Sequence, residues 1–547
     1  MLIISLFIFI LSCSLILNKS QAINYGRAGI ILLLNCIYIC YNNYYIFYIQ
    51  NGLGLLGGLF SISSNSLTFQ LLIIIISMLI LNLTGFYSRK HLTVENFSLS
   101  KLMLKKLTII SNVKKEDQYT IIEYPIIIIF IIIGSMILIS SNDLISLYIS
   151  IELQSYGLYI LCTIYRNSES STASGLTYFL LGGLSSCFIL LGIGIIYSYI
   201  GTTYIENFYI ITNILNIVDN TISLYSYISY GLLLITVGFL FKMSAAPFHF
   251  WSPDVYDGIP TVVTTFVAII PKISILVILL YIFHFTYNQY SLSEFNWTSN
   301  LLISSLLSLI LGTILGLTQF RIKRLLAYST ISHLGFLLLG LTINSVESIQ
   351  SFIFYLIQYS ISNLNAFFIL LGIGYSLFFF IDKNNSYINL LDKNNSPVQL
   401  ISQLKGYFYI NPLLALSFAI TLFSFAGIPP LVGFFGKQMI LSAALEDGFV
   451  FMALVGVICS VISAVYYLNI IKTIFFFENP YTSVSDNQDL LDKIELKSIK
   501  YSYSDVSLTN ALSIIISILT LIIVLFMFTP NSILHLSNLL SLILFAL

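Results

Sequence analysis

Fourteen stretches of this chain run for the length of a membrane span with almost no charge in them, at about 1–18, 28–48, 66–88, 121–142, 143–164, 173–200, 222–250, 259–284, 299–318, 322–342, 349–380, 406–445, 449–476 and 511–529. A helix of roughly 20 residues rises about 30 Å, the thickness of a hydrocarbon layer. Backbone polar groups find no water there, so only helices and closed barrels cross, and barrel strands are about half this length. The fold class is therefore an all-α polytopic membrane protein. Charged residues make up 8% of the chain and hydrophobic ones 58%, against about 25% charged in soluble domains, which excludes a soluble globular protein. Net charge is zero, so no basic field points to nucleic acid.

Two of the stretches, 222–250 and 406–445, are too long for single helices and contain Pro247 and Pro429-Pro430. Each is expected to be two half-helices around a break, because proline removes a backbone donor. Numbering the connections alternately places 20 of the 23 basic residues on one side and none in the opposite connections; the other three are Lys242, Lys272 and Lys437. The opposite connections carry Asp143, Glu206, Asp219, Glu294, Glu347, Glu446 and Asp447. Such one-sidedness follows the positive-inside rule and puts both termini on the acidic face. The first stretch has no basic n-region and no small-residue cleavage site, so it reads as a retained span, and nothing resembles an import presequence.

The expected breaks also recur. A unit starting at 121 breaks at Pro247 and one starting at 299 breaks at Pro429, offsets of 126 and 130 residues. Five spans per unit is an odd number, so the second unit enters from the opposite side: two inverted five-helix repeats with helices 7 and 12 broken, a pattern of transporters. The expected divisions are 1–120 (three spans and a basic loop), 121–285 (first repeat), 286–476 (second repeat) and 477–547 (loop and C-terminal helix).

Four charges fall inside these spans. Glu152 is nine residues from Asp143 and twelve from the other end of its span; Lys272 is thirteen past Ile259 and twelve short of His284. Lys242 lies five residues before Pro247, and Lys437 seven after Pro430. An unpaired charge at such depth costs at least ~2.5–3.5 kcal/mol, so these residues are functional candidates, snorkelling of the lysines toward the interface being the plain alternative. Protons suit the set better than metal ions. A lysine cannot coordinate a cation, but its hold on a proton weakens with burial and strengthens beside a carboxylate, so moving either partner loads or releases one proton. His333 and His249 are candidate relays, with Ser329, Thr330, Gln358, Tyr359 and Asn363 as further polar groups in the duplicated spans. The six cysteines and five histidines show no C-x-x-C or metal-ligand spacing, so no redox centre or metal site is expected in this chain. Gly52, Gly54 and Gly57 match a dinucleotide-binding glycine pattern, but between two spans and with no acidic residue about 20 positions on, and the match is set aside.

The local sequences carry a resemblance. The run from Asn142 to Tyr156 around Glu152, the run Phe241-Lys242 through Pro247, His249, Trp251, Asp254 and Tyr256 to Gly258, Pro271-Lys272, Arg324 through Tyr328 and His333 to Gly335, and Gly427 through Pro429 and Gly433 to Lys437 closely resemble the subunit 2 family of NADH:ubiquinone oxidoreductase, respiratory complex I, over about 121–476. The resemblance implies a coupled pair, Glu152 and Lys242, a central relay, Lys272, and a charge facing the next antiporter-like subunit, Lys437. It implies an enzyme subunit, part of an H⁺-translocating NADH:ubiquinone reductase, with no cofactor in this chain and FMN, iron–sulfur clusters and ubiquinone in other subunits. Partners would be the other membrane subunits of complex I and the bilayer, with no nucleic acid. The long N-terminal form and the Ile-, Phe-, Tyr- and Asn-rich composition suit a mitochondrially encoded, fungal-type protein of the inner membrane, its basic loops toward the matrix and both termini toward the intermembrane space. Thr177 departs from the pattern, since many bacterial relatives have Lys before the Tyr. The rival readings are a cation/proton antiporter subunit of a related multi-subunit exchanger and a non-pumping scaffold.

Overall fold

The structure is a computed structural model and describes residues 1–15, 22–46, 49, 52–85, 121, 123–166, 168–207, 222–286, 297–377, 380–382, 398–478, 481–483 and 510–546. The basic loop at 89–120 and the greater part of the loop at 477–509 lie outside the described residues.

Three helices come first, α1 (Leu2–Leu15), α2 (Ala22–Tyr44) and α3 (Ser64–Gly85). Then follow α4 (Glu123–Ser140), α5 (Leu144–Thr163), α6 (Glu169–Ile200), α7 (Ile222–Met243) with the short α8 (Trp251–Gly258), and α9 (Thr261–Thr286). The same order continues with α10 (Thr298–Leu317), α11 (Ile322–Ile343), α12 (Val346–Leu377), α13 (Pro412–Ala426) with α14 (Val432–Glu446), and α15 (Val450–Phe475). Two more, α16 (Asn510–Leu525) and α17 (Asn531–Ala546), complete it. Ten of the described helices are long and apolar enough to cross a membrane; Leu2–Ser14, Tyr227–Met243, Pro412–Ala426 and Asn531–Phe545 are apolar but shorter.

Burial sorts these helices into an inner and an outer set. The apolar segments of α9 and α11 are each 94% buried and that of α12 89%, whereas those of α6 and α15 are 39% buried and that of α16 28%. The inner three thus form the core, and the outer ones show broad apolar faces, such as Leu176, Leu180 and Leu184 on α6, suited to lipid. Hydroxyls inside the helices donate to carbonyls three or four residues back, as Ser135 does to Ile132 and Thr313 to Leu309, which lets them sit in apolar surroundings.

Both long stretches are interrupted. Between α7 and α8 lie residues 244–250, with a cis Ala246–Pro247 bond. Between α13 and α14 the chain turns at Gly427 (φ 86°), whose N–H donates to Phe423 and Ser424 carbonyls, and passes a cis Pro429–Pro430 bond. A left-handed residue at this position suits glycine. Gly433 then lies so close to the preceding half-helix that a Cβ there would stand 1.8 Å from the Ser424 carbonyl oxygen.

Three expectations differ from what is observed. The stretch at 406–445 does not begin as helix: 3₁₀ turns at Ile401–Leu404 and Tyr407–Tyr409 precede α13. Gly406 is left-handed there, and Asn411 caps α13 by accepting from Leu414 N–H at 3.2 Å, ahead of Pro412. Beyond the last expected span, Pro530 is followed by a further helix, α17, too short for the spanning-length criterion; Asn65 reaches its Leu540 carbonyl at 3.5 Å, and Phe545 meets His284 edge-on. Lys323, counted among the loop bases, is buried. Strands β1 (Leu53–Leu55) and β2 (Phe60–Ile62) form an antiparallel hairpin around Gly57, not a strand opening a phosphate-binding helix. Strands β3 (Phe380–Asp382) and β4 (Tyr481–Ser483) pair the chain after α12 with the chain after α15.

Candidate functional site

Glu152 stands in the middle of α5 and Lys242 one residue before the end of α7, and the two meet: Lys242 Nζ donates to Glu152 Oε1 at 2.9 Å, with side chains 6% and 14% exposed. Lys242 belongs to the last turn of a half-helix, where a basic residue suits the helix dipole. One carbonyl of that turn, Phe241 O, is taken by Trp251 Nε1 at 2.9 Å, and the Trp251 ring stacks on Tyr178 at 4.6 Å. The break is thereby closed by an aromatic pair directly beside the lysine.

Lys272 follows Pro271 inside α9 and is 2% exposed. Its Nζ donates to Thr330 Oγ1 at 3.0 Å and lies 5.7 Å from the centre of the Tyr256 ring. Thr330 gives its own hydrogen to Ala327 O at 2.8 Å, leaving an oxygen lone pair for the lysine. No carboxylate among the described residues is within ion-pair distance of Lys272. Among the described residues, one hydroxyl and one ring face offset the desolvation of this cation.

Lys437, on α14, folds back onto the preceding half-helix. Its Nζ donates to Phe425 O at 2.7 Å and Ala426 O at 3.0 Å, and lies 5.6 Å from the Phe336 ring centre. In the first interruption the lysine just before the break pairs with a carboxylate, whereas in the second the lysine from beyond the break serves the carbonyl end of the first half-helix. His333 is buried between aromatic groups: Nδ1 pairs with Tyr355 OH at 2.7 Å, Nε2 stands 3.5 Å from Tyr467 OH, and the Phe425 ring is 5.2 Å away. His249 sits within the first interruption, stacked on Phe250 at 4.6 Å and 6.4 Å from Tyr328. It forms no hydrogen bond with Glu152, Lys242 or Lys272 among the described residues, so the fold leaves this candidate beside the others rather than in contact with them.

The three clusters connect in one order. A cavity of about 20 Å³, enough for roughly one water molecule, is lined by Gln154, Ser155, Ser185, Lys242, Trp251 and Pro271, so it opens Lys242 toward the residue preceding Lys272. Gln154 and Ser274 exchange hydrogen bonds at 3.0 and 3.1 Å across the same seam between α5 and α9. Thr330 and His333 are one turn apart on α11, and His333 leads through the Phe425 ring to Lys437. Sequence reasoning missed Gln154, Ser274, Tyr256 and Tyr355 as neighbours of the charges. Gln154, two residues from Glu152 in the middle of an apolar span, was the available signal. Thr177, at the departure from the family pattern, is exposed on α6 and donates to Ser174 O at 2.8 Å. Among the described residues, no three His, Cys, Asp or Glu side chains gather as metal ligands would.

Comparison with known proteins gives a consistent pattern. The family described as NADH:quinone oxidoreductase/Mrp antiporter, transmembrane, matches residues 141–463. NADH-ubiquinone oxidoreductase chain 2 of Rhizopus oryzae is 46% identical over 544 residues, 98% of each chain. NADH-quinone oxidoreductase subunit N of Pelagibacter ubique is 41% identical over 356 residues, 65% of this chain and 69% of that one. Among solved structures, a chain of respiratory complex I from Thermus thermophilus superposes with a TM-score of 0.67 at 22% identity, covering 98% of this chain and 99% of that chain. A chain of the Mrp complex from Dietzia sp. gives 0.72 at 18% identity, covering 100% and 97%. These two likenesses speak to fold alone.

Proposed function

The chain belongs to the NADH:quinone oxidoreductase/Mrp antiporter transmembrane family, and from that premise we propose how it works. It is an antiporter-like, proton-translocating membrane subunit of an NADH:ubiquinone oxidoreductase, assembled with other membrane subunits of that complex. In our reading, electron transfer takes place on FMN, iron–sulfur clusters and ubiquinone in those other subunits, and this chain contributes only the proton path. Its site is the mitochondrial inner membrane, with the basic loops toward the matrix and both termini toward the intermembrane space; sidedness of the basic residues supports this orientation. The expected inverted repeats are the two five-segment groups α4–α9 and α10–α15.

The observation that carries the reading is the buried Glu152–Lys242 ion pair at a helix break. Opening the pair changes the field at the adjoining cavity and releases Lys242 to give a proton toward Lys272. Lys272, held by a hydroxyl oxygen and a ring face, is the central carrier. His333 with Tyr355 bridges toward Lys437, which presents a charge at the far interruption to a neighbouring antiporter-like subunit. Each group can accept a proton and pass it on, and none of the steps requires a metal ion in this chain.

Two measurements test the proposal. The chain should co-migrate with NADH dehydrogenase activity in native gels of solubilised membranes; migration with an exchanger lacking flavin and iron–sulfur proteins would favour the antiporter alternative. In reconstituted vesicles, Lys272→Met should abolish proton uptake per NADH at normal complex content. An unchanged ratio would reduce the chain to a scaffold.

A further inference from the structure

Two pairs of charged residues take no part in the proton path, Asp254 and Asp257 on α8 and Arg321 and Arg324 at the start of α11, yet the fold joins them. Asp257 accepts from Arg321 Nη1, and from Arg324 Nε at 3.2 Å; Arg324 Nη2 reaches Asp254 Oδ1 at 2.8 Å. Beside them the buried Lys323 donates to Ile259 O at 2.7 Å, the carbonyl that follows α8. Arg321, just ahead of α11, and Lys323 and Arg324 in its first turn thus bond to α8 and to the residue that follows it. Asp257 is the hub, its carboxylate only 12% exposed against 67% for Asp254.

The consequence lies in what α8 touches. It has eight residues, about 12 Å of helix, and Trp251, Ser252, Pro253, Val255 and Tyr256 are buried against its neighbours. Its first residue, Trp251, bonds to Phe241 O, next to Lys242. Its sixth, Tyr256, turns a ring toward Lys272. Lys272 is also held by Thr330 of α11. The central lysine therefore contacts one group on α8 and one on α11, and the ion pairs tie those two helices together. At Gly258 the same helix is pressed on α6, where a Cβ would stand 2.8 Å from Ser170 O, so α8 has no slack toward that neighbour either.

We propose that Asp257 and Arg324, seconded by Asp254 and Arg321, are positioning residues for proton transfer: a clamp that sets the spacing of Tyr256 and Thr330 about Lys272 and, through Trp251, the placement of Lys242 against Glu152. The clamp handles no transferred proton itself. It rests on the reading of Lys272 as the central carrier, and its test includes Lys272→Met for that reason.

The experiment uses the intact complex in vesicles, carrying Asp257→Asn, Arg324→Gln, both together, or Asp254→Asn, with protons per NADH counted on assembled complex only. Asp257→Asn and Arg324→Gln should each lower the ratio by about fivefold, since charge-assisted bonds at a partly buried hub are lost. The double variant should fall well short of the product of the two singles, because both remove the shared Asp257–Arg324 bond. Asp254→Asn should stay within roughly twofold, as its exposed pair is worth little. The pH profile of pumping should also shift in Asp257→Asn, which a purely architectural contact would not cause. An unchanged ratio in Asp257→Asn, or losses that multiply in the double variant, would overturn the clamp. So would a fall in complex content with a normal ratio in what assembles. If Lys272→Met pumps normally, the carrier reading fails and the clamp with it; if Lys272→Met is inactive while Asp257→Asn is normal, the clamp alone fails.

Discussion

Replacing Glu152 by Gln keeps the side chain's shape and removes its charge. At 2.9 Å and an effective dielectric near 20, the attraction lost is about 6 kcal/mol in gross terms. The amide oxygen of Gln still accepts one hydrogen bond, worth about 1 kcal/mol net. Breaking a buried pair by removing one partner costs ~3–5 kcal/mol in practice, since the other charge is left unpaired. That exceeds the ~2.3 kcal/mol for moving one charge through 100 mV, so Lys242 could no longer be loaded against a working membrane potential. Proton uptake per NADH under about 100 mV should fall tenfold or more, measured in vesicles with complex content checked by native gel. Glu152→Asp, which keeps the charge but draws it back by about one methylene, should fall between Gln and the native residue. The double variant Glu152→Gln with Lys242→Met should assemble at least as well as Glu152→Gln alone, because no lone buried charge remains. Pumping within twofold of native in Glu152→Gln, or a better result for Gln than for Asp, would refute the reasoning.

Lys437→Arg should impair pumping nearly as much as Lys437→Ala at normal content, because a guanidinium never gives up its proton; full activity in the arginine variant would mark a fixed cap on Phe425 and Ala426 carbonyls instead. Gly433→Ala should lower complex content sharply in native gels, as its Cβ would fall 1.8 Å from Ser424 O and force the two half-helices apart; normal content would mean the break is far more pliable than its geometry indicates. Tyr355→Phe removes the 2.7 Å partner of His333 and should slow pumping severalfold while costing about 1 kcal/mol of stability; an unchanged rate would take His333 out of the path. Protease added to intact organelles should spare the loops at 89–120 and 472–510, and cleavage there before membrane opening would reverse the orientation.

The periodicity and charge of this sequence were enough for the all-helical membrane class and the two sites of interruption, and they singled out Glu152, Lys242, Lys272 and Lys437 as charges within the spans. Each of these rests on what lies within one span, where the requirement that apolar side chains face lipid or core and that backbone groups pair internally acts residue by residue. Helix starts were less legible where local turn chemistry prevailed, as at Gly406 and Asn411, which delay α13 to Pro412. The sixteen residues of α17 passed unnoticed because a span-length criterion does not register a shorter apolar helix.

Partnership was decided only in three dimensions. That Lys242 meets Glu152, 90 residues away, while Lys272 meets a threonine 58 residues away and no carboxylate among the described residues, depends on how each helix is rotated about its axis and which neighbour it faces. The same holds for Lys437, whose sequence position beyond the prolines gives no hint that it turns back to the carbonyls before them. Lys323, Arg321 and Arg324 read alike as loop bases, yet packing buries the first and pairs the others with α8. Burial pattern along one helix tells which residues leave water; the contacts they make there are set by the shapes and rotations of all the helices together, and no single span contains that information.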